Sequence, residues 1–350
     1  MKTHHAYEYK GKYMNIATAK SKFLISALCF SLPIAAFAAP PEIHGFFRAG
    51  AAISLDEQTY QGADKNGDFG STHFGLNFSN NIDSNWRVAS QIYAAGYEDN
   101  FGLHIDWAYA TFQAAEGLNL NFGKIKYPNL LYSEIVDVGN IYPWTAPPQE
   151  LYNAETEGNA YLFMESFSGA SAVYSMFAGE YEITTQVLVG NGGVEMGSLD
   201  KMLGGALNIS SDIATLKVGY NQYTPDQVEA GELGLDGNTV NVVSAGIIVN
   251  WNNALIISEY ANGTVDGQSE RDSTAMYTTL GYTIGSVTPH VTYSILDAEE
   301  GRDVLGLGVK YQASPSTTVK MDYYNISPEA EDGEESESFG VIRGALDFVF

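Results

Sequence analysis

The chain has 350 residues, 45% of them hydrophobic, with 36 Gly, 23 Tyr and only 17 Lys plus Arg against 42 Asp plus Glu. A soluble chain of this length is ordinarily two domains or one large α/β enzyme and carries long stretches at the 3.6-residue helical period; after residue 40 such stretches are almost absent. The net charge of −25 argues against nucleic acid as a partner, because a phosphate backbone is held by Lys and Arg.

The first element in chain order is a leader. Lys20 and Lys22 precede an apolar run from Phe23 to Phe37 that closes in Ala36-Phe37-Ala38. A basic start, a short apolar run and a small-x-small site predict a secretory signal peptide over residues 1–38, cleaved after Ala38. The run is too short to serve as a membrane anchor. Translation begins at Met1 or at Met14, since residues 1–13 are polar. Cleavage removes five lysines and one glutamate, so the net charge of residues 39–350 becomes −29. It also removes Cys29, leaving no thiol, disulfide or thiolate metal site.

The remaining domain, 39–350, holds no run of about twenty apolar residues, which excludes membrane-spanning helices. Segments of roughly ten residues with period-two alternation recur instead, each ended by turn residues. Strands are predicted at 43–55, 71–79, 86–97, 103–113, 117–127, 168–177, 181–190, 202–210, 213–224, 239–250, 254–265, 273–284, 287–297, 304–313, 317–327 and 338–350. Their connections alternate in length. Short ones lie at 80–85, 114–116, 178–180, 211–212, 251–253, 285–286 and 314–316; longer ones lie at 56–70, 128–167, 191–201, 225–238, 266–272, 298–303 and 328–337, with 98–102 barely longer than a turn. An even strand count with short turns at one end and long loops at the other predicts an all-β fold, a transmembrane antiparallel barrel of sixteen strands. The acidic outer loops, with Glu329, Glu331, Asp332, Glu334, Glu335 and Glu337 in one of them, suit contact with lipopolysaccharide phosphates through bridging divalent cations.

Parity divides each strand into a lipid face and a lumen face. Ile43, Phe47, Ala49, Ile53 and Leu55 oppose Glu42, His44 and Arg48; Trp86, Val88 and Ile92 oppose Arg87, Gln91 and Tyr93. Leu216, Val218 and Tyr220 oppose Lys217, Asn221 and Tyr223, and Leu305, Leu307 and Val309 oppose Lys310. In the last strand Ile342, Leu346, Phe348 and Phe350 oppose Arg343, Ala345 and Asp347. The sixth and eleventh strands do not sort, because Glu259 shares parity with Leu255 and Ile257. Trp86, Tyr109, Trp251, Tyr311 and Tyr323 near strand ends are candidates for aromatic girdles.

Three stretches carry a family resemblance: EIHGFFRAGAAISL at the start of the domain, LNLNFGKIKYP, and GALDFVF ending at Phe350. They resemble the Gram-negative outer-membrane porin superfamily. GKIKYPNLLYSEIVDVGNIYPWTAPPQELY is similar to a proteobacterial group labelled phosphate-selective porin O/P-like. The resemblance implies an outer-membrane location, a homotrimer of barrels, and a terminal aromatic signal, Phe348 and Phe350, read by the barrel-assembly machinery. It further implies a third external loop, here 128–167, folded inward opposite a basic wall. Irregular backbone is tolerated where it lines a water-filled cavity. Glu134, Asp137 and Glu150 are then the constriction acids, and Arg48, Arg87, Lys124 and Lys126 the basic wall. Lys124 and Lys126 share parity with Leu118, Leu120 and Phe122, so a bulge near Gly123 is needed to turn them inward.

The function this implies is passive diffusion of small polar solutes and ions, with opposed charges filtering at the waist. Twelve basic residues spread over the domain do not make an anion ladder, so the expectation is weak cation preference. Two alternatives remain open: a substrate-specific channel for a sugar, a dicarboxylate or phosphate, and a barrel enzyme. The enzyme predicts a Ser/His or Asp/His cluster at one rim of a smaller, filled barrel. His44, His73, His104 and His290 are scattered over four strands, so neither a metal nor a cofactor is expected. The run Asp64-Lys65-Asn66-Gly67-Asp68 begins like a Ca²⁺ loop but has Phe69 where glycine is required.

Overall fold

Alternating apolar and polar residues suit a strand with lipid on one side and water on the other, and sixteen such strands form. The computed structural model describes residues 40–96, 101–152, 162, 164–194, 197–226, 237–298, 301–329 and 337–350. The leader, most of the short 98–102 connection and the centre of the acidic 328–337 loop lie outside the described residues. The first eight strands are β1 (Glu42–Ser54), β2 (His73–Asn81), β3 (Trp86–Ala95), β4 (His104–Ala115), β5 (Leu118–Lys126), β6 (Ser166–Ala178), β7 (Tyr181–Val194) and β8 (Gly197–Ser210). The second eight are β9 (Ala214–Asp226), β10 (Val240–Trp251), β11 (Ala254–Val265), β12 (Ser273–Tyr282), β13 (Val287–Asp297), β14 (Arg302–Ser314), β15 (Thr317–Pro328) and β16 (Phe339–Val349).

Each strand pairs antiparallel with its sequence neighbours, and β1 with β16 closes the cylinder. Closure removes every sheet edge, which hydrocarbon demands because it offers no hydrogen bonds. The seam runs from Phe46 opposite Val349 to Ser54 opposite Val341. Gly45 and Phe350 extend it, each backbone N–H donating to the other's carbonyl at 2.8 and 2.9 Å. Short turns set the register elsewhere: Asn252 and Asn253, with φ of 47° and 70°, make the two-residue turn whose twist suits a hairpin.

The expected faces are largely confirmed. Ile43, Phe47, Ile53, Val88, Leu216, Val218, Leu305 and Leu307 are exposed on the outside, while Arg48, Gln91, Lys217 and Asn221 are buried inside. A charge on the outer face would cost roughly 2–4 kcal/mol at the bilayer midplane. Trp86, Trp251, Tyr311 and Tyr323 are exposed outward as girdle residues should be. Tyr109 departs from that expectation: it faces the lumen, stacked on Trp107 at 5.4 Å between ring centroids.

Of the two unsorted strands, β11 now has a reason. On β11, Ile257 and Glu259 are both buried inward, while Ile256 and Tyr260 are exposed outward. The inner face there does not meet water. It meets the described part of the β5–β6 connection, residues 127–152, 162 and 164–165, which carries an apolar core of its own.

Candidate functional site

The connection between β5 and β6 is rich in Tyr, Trp, Pro and Leu, and those side chains bury themselves against one another inside the barrel. Trp144 lies edge-on to Tyr277 of β12 at 5.4 Å and 88°, and Tyr132 edge-on to Trp144 at 5.8 Å and 86°. Each such pair contributes about 0.5–1.5 kcal/mol beyond the area it buries. The Trp144 indole N–H donates to Thr279 Oγ1 at 3.0 Å and Thr292 Oγ1 at 2.8 Å, so the ring's one polar atom is satisfied. A single helical turn, Gln149–Tyr152, follows.

Ion pairs and charge-assisted hydrogen bonds fasten this loop to the wall. Glu134 meets Lys217 of β9 at 3.1 Å. Asp137 meets Lys126 at 3.1 Å, and its carbonyl lies 2.9 Å from His73 Nε2. Burial alone would raise the Asp137 carboxyl, but the charge of Lys126 and its hydrogen bond to the carboxylate outweigh it and hold it below the usual carboxylate range. Glu150, 0% exposed, takes Arg302 Nε at 2.8 Å and the Ser294 hydroxyl at 2.8 Å. Tyr60, from the β1–β2 loop, donates to the same carboxylate at 3.2 Å. Glu259 of β11 accepts the Leu131 N–H at 2.5 Å and the hydroxyls of Tyr277 and Tyr152.

A second cluster sits at the seam. Asp347 on β16 holds Arg48 Nε at 2.6 Å and Lys320 Nζ at 3.1 Å. Lys320 also donates to the carbonyls of Trp144 and Gly139, and its ammonium lies 4.4 Å from the centre of the Tyr142 ring. Burial pushes the Tyr142 phenol up to about 12, so it stays a neutral donor, reaching Val136 O at 3.0 Å.

The sequence-derived constriction needs three corrections. Lys124 pairs with Ala108 on the outer face and donates to Ile105 O, outside the lumen. The expected Gly123 bulge does not form: despite a φ of +138°, the ladder runs in register from Leu118 to Lys126 against β6. The bulge is on β4, where the pairing shifts between Gln91 and Ile92 and turns Asp106 inward beside Trp107. Lys126 enters at the end of its strand, 2.9 Å from Asp106. Second, Arg87 bonds Glu42 at 3.0 Å and Ser79 at 2.7 Å, at the short-turn mouth of the barrel and away from the loop. Third, the loop acids do not face cations across an open gap; they touch them, and only Asp137 with Lys126 is a pair drawn from the expected set. Lys217, Arg302, Lys320, Glu259 and Asp106 complete the site. Parity had put Lys217 in the lumen, and Asp106 at a lipid-facing parity was the available sign of a bulge.

Space remains on the side of β2–β10. An inner pocket of 640 Å³ lies under the loop, bounded by Leu131, Glu134 and Ile135 above and by Gln91, Asn121, Lys126, Gln186, Asn208 and Lys217 on the wall. Below it a mouth of 540 Å³ leads past Asn119 and Arg87 to the short-turn end, and the two share Asn77, Trp107, Tyr109 and Asn121.

No protein-family model and no curated protein matches the chain. Among solved structures it is similar to Salmonella typhi OmpF in complex with daunomycin, at 12% identity and TM-score 0.63, over 89% of this chain and 97% of that one. The anion-selective porin of Comamonas acidovorans gives 12% identity and TM-score 0.61, over 89% and 99%. The outer membrane channel DcaP of Acinetobacter baumannii gives 14% and 0.57, over 89% and 97%. At these identities the likeness establishes the closed barrel fold.

Proposed function

We propose that the chain is a Gram-negative outer-membrane channel admitting small polar solutes and ions by passive diffusion. The observation that carries this is the polar tract beside the β5–β6 loop, inside a cylinder whose outside is apolar. Solved channels share the fold, among them an anion-selective porin and DcaP. Residues 1–38 serve as a cleaved export signal in this reading. Phe348 and Phe350, at the closing seam, serve as the assembly signal, and the acidic loops meet lipopolysaccharide. The assembly is a homotrimer. An outer hollow of 440 Å³ over β2–β5, floored by the small residues Ser90, Ala108 and Ala110, gives a second copy room to approach. The reading contains no catalytic step and no cofactor.

The similarity of residues 117–152 to the phosphate-selective porin O/P-like group fits this proposal as kinship, while the charges favour the opposite selectivity. Around the waist Lys126 and Lys217 lie within 4.0 Å of four carboxylates, Asp106, Asp137, Glu165 and Glu134. A surplus of fixed negative charge in a narrow passage concentrates cations. In a planar bilayer under a KCl gradient, the reversal potential is expected to show modest K⁺ preference. A Cl⁻ preference would overturn it.

A further inference from the structure

We propose that the tract holds a subsite for neutral sugars at Trp107 and Tyr109, a substrate class that rests on the channel reading above. The two rings stand at the corner where mouth and inner pocket meet, their planes tilted by 37°. They lie on the inner side of β4, opposite Gln91 and Ala89 of β3, next to the bulge that turns Asp106 inward. Aromatic faces in a wet channel pack against the C–H face of a pyranose ring while leaving its hydroxyls at the rim.

The polar groups around the rings match hydroxyls. Asn77, Asn121, Gln186 and Asn208 line the tract, and a carboxamide presents both donors and acceptors. Charged solutes find less. Lys126 is held by Asp106 and Asp137 at 2.9 and 3.1 Å and Lys217 by Glu134 at 3.1 Å, so a carboxylate or phosphate would have to break a pair before gaining one. A neutral polyol meets no such competition.

Maltotriose titrated into the bath of a planar bilayer holding the purified protein tests this. The expected result is a saturable fall in ionic current, with little effect from succinate or inorganic phosphate at equal concentration. Trp107→Ala is expected to raise the half-blocking concentration about tenfold, and Gln186→Leu, which keeps both rings, to raise it less. Steady current that maltotriose does not block saturably overturns the sugar subsite and leaves the channel standing. Equal block by succinate or phosphate also overturns it, in favour of a charge-based site. Absence of any current defeats the channel reading and the subsite with it.

Discussion

Replacing Glu259 by alanine is expected to free the inward loop and enlarge the single-channel conductance. The carboxylate lies on a central strand, 2% exposed, and gathers three donors: the Leu131 N–H and the Tyr152 and Tyr277 hydroxyls. Two of the three belong to the loop. Without the acceptor, each donor left buried costs about 1–3 kcal/mol. The cheapest relief is for residues 131 and 152 to move into water. A loss of ~3 kcal/mol changes the ratio of docked to lifted loop about a hundredfold. The sheet is untouched, because β11 keeps its backbone pairing with β10 and β12, so the barrel still assembles. Glu259→Gln retains one acceptor and is expected to fall between. Wild-type conductance in the alanine variant would show that Glu259 does not hold the loop.

Asp347→Ala is expected to weaken the barrel itself, by about 3–5 kcal/mol, the usual cost of stranding one partner of a buried ion pair. Here two cations lose their counter-ion, Arg48 and Lys320, and both are nearly solvent-free. They lie against the Tyr142 ring at 5.6 and 4.4 Å, which softens the loss without replacing the charge. The position matters as much as the pair, since Asp347 faces Arg48 directly across the β1–β16 seam. Adding Lys320→Met removes one stranded cation and should recover part of the stability, since apolar replacements of buried pairs are often neutral. Urea unfolding in detergent reads both changes. An unaltered midpoint in the single variant would mean that the cluster contributes nothing net.

Much of this architecture was legible because a barrel strand writes itself in the sequence with period two. All sixteen segments form, and the largest displacement is at β8, which begins at Gly197 in place of 202. Faces were readable wherever the inner side carries charged or amide side chains, as with Arg48 on β1, Lys217 and Asn221 on β9 and Lys310 on β14. They became unreadable on β11, where the lumen is filled by aromatic side chains and Ile257 can point inward at no cost. The inward loop was inferred from its length and from family likeness, yet its partners were not. Contacts such as Glu150 with Arg302 or Thr145 with Asp322 join residues more than 150 positions apart, and nothing local encodes them. Lys126 illustrates the same limit: its entry into the lumen depends on a bulge in the neighbouring strand, at Asp106, and not on its own glycine.

Ionic current through single molecules of the purified chain in a planar bilayer is the most direct measurement. Discrete, long-lived open steps, grouped in threes for a trimer, are the predicted result. Reconstituted protein that seals the bilayer and passes no current would mean that the aromatic loop stoppers the cylinder completely.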